Sequence, residues 1–193
     1  MHPVMLVYEL DSTEGPPLPE EIQQFAKFEG NWKSQCLSQL IENAKVHDLI
    51  RVYLLTLSST NAGFATIDSG TDGMKMRIGL HGGLDEPSRF GVLLHELAHI
   101  YLGHLGGDRD GWWPCRGNLS RGAMEVEAEA VAYIVSRRAG LKSASSAYVS
   151  SYIDSDETLR KVSPDMIAKV SGRLTEMCDR PFGKRPPRKS KVK

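Results

Sequence analysis

The spacing of apolar residues alternates between strand and helix periods up to about position 81 and is helical, at three and four, from Asp85 onward. Positions 4–10 form a short apolar run rich in β-formers and predict a strand. The Glu14-Gly-Pro-Pro-Leu-Pro stretch that follows has to be irregular, because proline fixes φ and removes a donor. Cys36, Leu37, Leu40, Ile41 and Ala44 recur at three and four and predict a helix over about 33–47. Strands are predicted at 51–57, 63–67 and 74–80. The last is the clearest, with Met74, Met76, Ile78 and Leu80 alternating against Lys75, Arg77 and Gly79. Turn residues at 58–62 and 69–73 make hairpins the economical connection between them.

Beyond Asp85 the pattern is helical. Asp85 and Pro87 suit a helix start, 90–105 is densely apolar, and Gly103, Gly106 and Gly107 close the segment. A loop over 107–119 carries Trp112, Trp113, Pro114 and Cys115. A second helix is predicted from about Ser120 to Ala139, with Arg137 and Arg138 in its last turn and Gly140 just past its end. A short helix is expected near 147–153. Ser163 and Pro164 then offer an N-cap and a first-turn proline to a final helix with Ile167, Val170, Leu174 and Met177 on one stripe. There is no internal repeat. The expected fold is α+β, a small, mostly antiparallel sheet followed by a helical half.

Composition narrows this further. A chain of 193 residues fits one domain and buries a core without disulfide or metal staples. With 40% hydrophobic and 25% charged residues the sequence is that of a globular protein rather than a disordered one. No apolar run approaches the roughly 20 residues of a membrane-spanning helix, and the first ten residues lack the basic start of a secretory signal. Three cysteines, Cys36, Cys115 and Cys178, are odd in number and far apart, which suits a reducing compartment. The expectation is a cytoplasmic protein. Its formal net charge of zero hides a split: Arg180, Lys184, Arg185, Arg188, Lys189, Lys191 and Lys193 crowd the last fourteen positions without an acid, leaving seventeen basic against twenty-four acidic residues before them. The expected organisation is therefore a body over 1–179 and a basic, disordered tail over 180–193. Plain electrostatics would let the tail touch nucleic acid or an acidic partner weakly.

The chemistry lies in His95-Glu96-Leu97-Ala98-His99, an HExxH motif inside the predicted helix. Residues four apart on a helix share a face, about 6 Å apart, so both imidazoles can hold one metal ion. Glu96, one step round, can reach a water on that ion without binding it. Zinc suits imidazole and carboxylate ligands, and a catalytic site leaves one position open for water. The flanks Val92-Leu93-Leu94 and Ile100-Tyr101-Leu102 bury this helix on nearly all sides, where two histidines and a glutamate without partners would cost several kcal/mol. A third ligand is required. His104 is one residue out of register with HExxHxxGxxH, since Leu102 and Leu105 stand where that pattern has glycine and histidine. Glu125, Glu127 and Glu129, set among alanines and valines on the next helix, are the better source. Cys115 could reach the metal as an inhibitory thiolate, but an inert loop cysteine is the simpler reading.

Two segments together, His95-Glu-Leu-Ala-His-Ile-Tyr-Leu-Gly-His104 and Glu125-Val-Glu-Ala-Glu-Ala-Val-Ala-Tyr133, resemble the ImmA/IrrE-like zinc metallo-endopeptidases and the peptidase half of ArdC-type antirestriction proteins. The resemblance extends from the first predicted strand to about Tyr152. It implies a zincin-like fold, with His95, His99 and Glu127 as zinc ligands and Glu96 as general base. It also implies cleavage of a partner protein in the bacterial cytosol, typically a helix-turn-helix repressor. Helix geometry agrees on Glu127, which shares a face with Ala130, Val131 and Ile134, whereas Glu125 has a ready explanation in the helix dipole and Glu129 lies about 200° round. No DNA-binding domain of the kind some members carry is expected, apart from the basic tail. The competing reading is a regulatory module that recognises a repressor or DNA without cutting.

Overall fold

A computed structural model describes residues 28–57, 61–108, 110–143 and 156–185. The predicted strand at 4–10 and short helix near 147–153 lie outside these residues. The described elements run β1 (Phe28–Glu29), α1 (Gln35–Asp48), β2 (Ile50–Leu55), β3 (Gly63–Ile67), β4 (Met76–His81), α2 (Glu86–Leu102), α3 (Arg121–Arg138), β5 (Lys142–Ser143), α4 (Asp156–Lys161) and α5 (Pro164–Asp179). The fold is α+β, and no helix among the described residues is long and apolar enough to cross a membrane.

The three-stranded sheet is mixed, in the order β2-β4-β3. β3 and β4 form the expected antiparallel hairpin, with Ile67 opposite Met76 and Gly63 opposite Leu80. β2 does not pair with β3. It lies parallel to β4, Ile50 opposite Met76 and Leu55 opposite His81, which corrects the expectation of successive hairpins. The reason is burial: Met76, Ile78 and Leu80 are all but inaccessible, while on the other face Arg77 is exposed and only Gly79 is packed, by the Phe64 ring, 2.4 Å from where a Cβ would stand. The strand with the most buried face takes the middle of the sheet, where both its edges are paired. β1 and β5 add a separate two-stranded antiparallel bridge.

Helix α2 lies against the sheet at Gly63, where an added Cβ would stand 2.7 Å from the Val92 side chain. It starts where the sequence signals it, the Asp85 carboxylate accepting from the Ser88 N–H, and ends at Gly103 in the left-handed conformation (φ 81°). Its opposite side is covered by α3, which begins at the Ser120 cap. Leu93, Leu94, Leu97, Ile100 and Leu102 of α2 and Ala128 and Val131 of α3 are fully buried. α5 closes the core with Val170, Leu174 and Met177 and packs on α1 and α3.

The basic segment after Asp179 joins the body at its start. Asn43 donates to the Met177 and Arg180 carbonyls at 2.7 and 2.9 Å and accepts from the Phe182 N–H at 2.7 Å. Arg185 pairs with the buried Asp48 and lies over the Trp112 ring at 4.5 Å. The expectation of a tail leaving the body at 180 is thereby corrected for 180–185, because a buried carboxylate and amide at the end of α1 supply partners; residues 186–193 lie outside the described residues. All three cysteines are thiols. Cys36 and Cys178 touch between α1 and α5, burial pushing both pKa values up, and Cys115 is exposed.

Candidate metal centre

His95 and His99 project from one face of α2 with their Nε2 atoms 3.1 Å apart. The carboxylate between them is Glu125. Its Oε2 lies 3.3 Å from His95 Nε2 and 3.7 Å from His99 Nε2, and these three residues form the described group able to hold a metal ion. Tetrahedral zinc with ligands at 2.0–2.1 Å has ligand–ligand separations of about 3.3 Å. The donor set therefore fits zinc in chemistry and in spacing.

The other two glutamates of α3 are placed differently. Glu129 is on the same side of α3 as Glu125, one turn on, and its Oε2 is 3.0 Å from His95 Nδ1. Glu127 does not join the histidine pair, which corrects its assignment as third ligand. It faces the other way, its side chain fully buried, and receives both Nη atoms of Arg116 at 2.7 and 2.6 Å, the Ser163 N–H at 2.7 Å and a contact from His104 Nε2 at 2.9 Å. The face argument failed because α3 is buried on both sides, between α2 and the α4–α5 junction, so an apolar stripe did not single out the side facing α2. The better signal was the matched spacing: an i, i+4 pair of glutamates, Glu125 and Glu129, opposite an i, i+4 pair of histidines. The sequence reading missed Arg116 and weighed His104 only as a ligand; both reach Glu127 from the α2–α3 connection. Cys115, in the same connection, is exposed and outside the metal group.

The carboxylates around the histidines shape the electrostatics of the centre. Burial would strip the proton from His95, but Glu125 on one nitrogen and Glu129 on the other outweigh it and push its pKa up to about 10. The same contacts with His95 and His99 hold the Glu125 carboxyl well below its usual range against the effect of burial. Glu96 moves the other way. Buried on α2, its carboxyl is pushed up by desolvation, which outweighs the pull of the two histidines.

For Glu127, burial alone would raise the pKa, yet hydrogen bonds from His104, Arg116 and the Ser163 N–H bring it down to about 2. A native value below the unfolded one, near 4.3, adds stability above that pH and loses it as pH falls toward 2. Unfolding in urea will therefore show the metal-free chain losing stability from about pH 5 downward, with Glu127→Gln flattening part of the slope and Glu125 accounting for another part. At pH 7 the same variant, which breaks a buried pair, will cost roughly 3 kcal/mol. An unaltered slope in Glu127→Gln would refute the assignment.

Comparison with known proteins finds no matching family model, no matching curated protein and no matching solved structure.

Proposed function

We propose that the chain is a zinc-dependent endopeptidase of zincin-like build that cuts a protein partner, with His95, His99 and Glu125 holding the metal and Glu96 as general base. One observation carries the reading. Two imidazole Nε2 atoms and a carboxylate oxygen converge at 3.1 to 3.7 Å, while the outer nitrogen of each imidazole is engaged by a further side chain, as metal-ligating histidines almost always are. The resemblance of the two motif segments to ImmA/IrrE-like peptidases supports the same reaction and suggests a helix-turn-helix repressor as the protein cut.

Bound at this centre, zinc would supply Lewis acidity, polarising a peptide carbonyl and lowering the pKa of a water to about 7. Glu96 is the proton carrier. Its carboxylate, raised by burial, accepts a proton from the attacking water and returns it to the departing amine. Glu129 holds His95 by its Nδ1 and keeps the ring turned toward Glu125.

The test is to incubate the zinc-loaded chain with a bacterial protein extract containing intact repressors and to read new protein N-termini by mass spectrometry. Cleavage is expected with the native chain, and Glu96→Gln will slow it by about 10²- to 10⁴-fold at unchanged zinc content. No new N-termini, or equal cleavage by Glu96→Gln, would sink the peptidase reading; binding of a repressor without cutting would favour a recognition module.

A further inference from the structure

We propose that His104 is a positioning residue that sets the tautomer of His99, with Glu127 and Arg116 behind it, so that the Nε2 lone pair of His99 points toward His95 and Glu125. This rests on the metal reading above and assigns that site a second layer.

Donor and acceptor roles follow from the outside inward. Arg116 and the Ser163 N–H can only donate, and between them they occupy both oxygens of Glu127 at 2.6 to 2.7 Å. Glu127 is thus held as a carboxylate that accepts at each contact. His104 Nε2, 2.9 Å from Glu127 Oε2, must carry the hydrogen there. A neutral imidazole protonated at Nε2 is an acceptor at Nδ1. That Nδ1 is 2.9 Å from His99 Nδ1, so His99 donates from Nδ1 and keeps its lone pair on Nε2. On the other side Glu129, again a carboxylate, requires the same tautomer of His95. Without metal the His95 Nε2 hydrogen faces Glu125 and the His99 lone pair; once a metal displaces that proton, both Nε2 lone pairs face the centre together. Reversing the polarity, with a hydrogen on His104 Nδ1, would place a hydrogen on His99 Nε2 and remove a ligand.

The backbone fixes this chain of contacts. Gly103 ends α2 with φ 81°, and an added Cβ there would lie 2.2 Å from the Pro114 carbonyl oxygen. The His104 N–H donates to the His99 carbonyl at 3.0 Å, and the Arg116 N–H donates to Gly103 at 2.9 Å. His104 is thereby folded back beside His99 with its side chain 1% exposed, which is why a histidine out of register as a ligand serves one step behind the ligand.

The experiment uses the full chain labelled with ¹⁵N-histidine. Long-range ¹H–¹⁵N correlation spectra, recorded without metal and with zinc, will show His104 protonated at Nε2 and His99 protonated at Nδ1. In parallel, chelator competition will show His104→Leu binding zinc about 10- to 100-fold more weakly. His104→Gln, whose amide both accepts and donates, will recover most of the loss. A hydrogen on His104 Nδ1, or a leucine variant that binds zinc as tightly as the native chain, overturns the relay and leaves the metal reading standing. A native chain that takes up neither zinc nor cobalt overturns both. If His104→Leu fails to fold, the spectra of the native chain decide alone.

Discussion

Replacing Glu125 with alanine will weaken zinc binding more than about 100-fold, beyond the range seen for residues one step behind a ligand. That loss corresponds to at least about 2.7 kcal/mol of binding free energy. Glu125 is the carboxylate within 3.3 and 3.7 Å of the two imidazole Nε2 atoms, so its removal leaves a two-histidine chelate. Glu129→Ala and Glu127→Ala act through His95 and through His104 respectively, and each will cost about 10- to 100-fold. Zinc affinity measured for the three single variants checks the order. If Glu127→Ala is the most damaging and Glu125→Ala is silent, the original assignment of Glu127 is restored.

The second large effect is on stability. Asp48 closes α1 with its side chain fully buried, accepting from the Tyr101 hydroxyl at 2.7 Å and from Arg173 at 2.7 and 2.8 Å, and pairing with Arg185. Two guanidiniums and a phenol converge on one carboxylate from α5, α2 and the segment after α5. A buried ion pair contributes little beyond a well-packed apolar substitute, but taking away one partner strands the other. Asp48→Ala will therefore destabilise the chain by about 3–5 kcal/mol. For a chain of this size that lowers Tm by roughly 10 °C. Arg185→Ala leaves Asp48 with Arg173 and will cost less. Equal Tm values for Asp48→Ala and the native chain would show that the cluster is decoration.

The elements and their ends were legible because their signals are local. Asp85, Ser120 and Ser163 each cap the helix that the sequence assigns to them, and Gly63–Ile67 is a strand over the predicted span. The short α4 and the β1–β5 bridge were not anticipated, since six helical residues and two-residue strands leave no periodic pattern to read. Strand order was not legible either. Alternation along β4 gave its buried face, Met76, Ile78 and Leu80, and its exposed Arg77, but alternation carries no partner, and the parallel pairing of β2 with β4 exists only in the folded sheet.

At the site, the sequence by itself determined the histidine pair and the neighbouring Glu96, because the i, i+4 relation on a helix is set by 3.6 residues per turn and needs no partner. It also narrowed the remaining carboxylate to three glutamates on α3. Which of the three meets the histidines was decided by the rotation of α3 against α2. That rotation depends on side chains distant in sequence, Arg116 and His104 drawing Glu127 to the far side while Glu125 and Glu129 close on His95. The first few residues after Asp179 follow the same logic. Their prolines and charge read as a free tail, yet Asp48 and Asn43, buried more than 130 positions earlier, provide the partners that hold them.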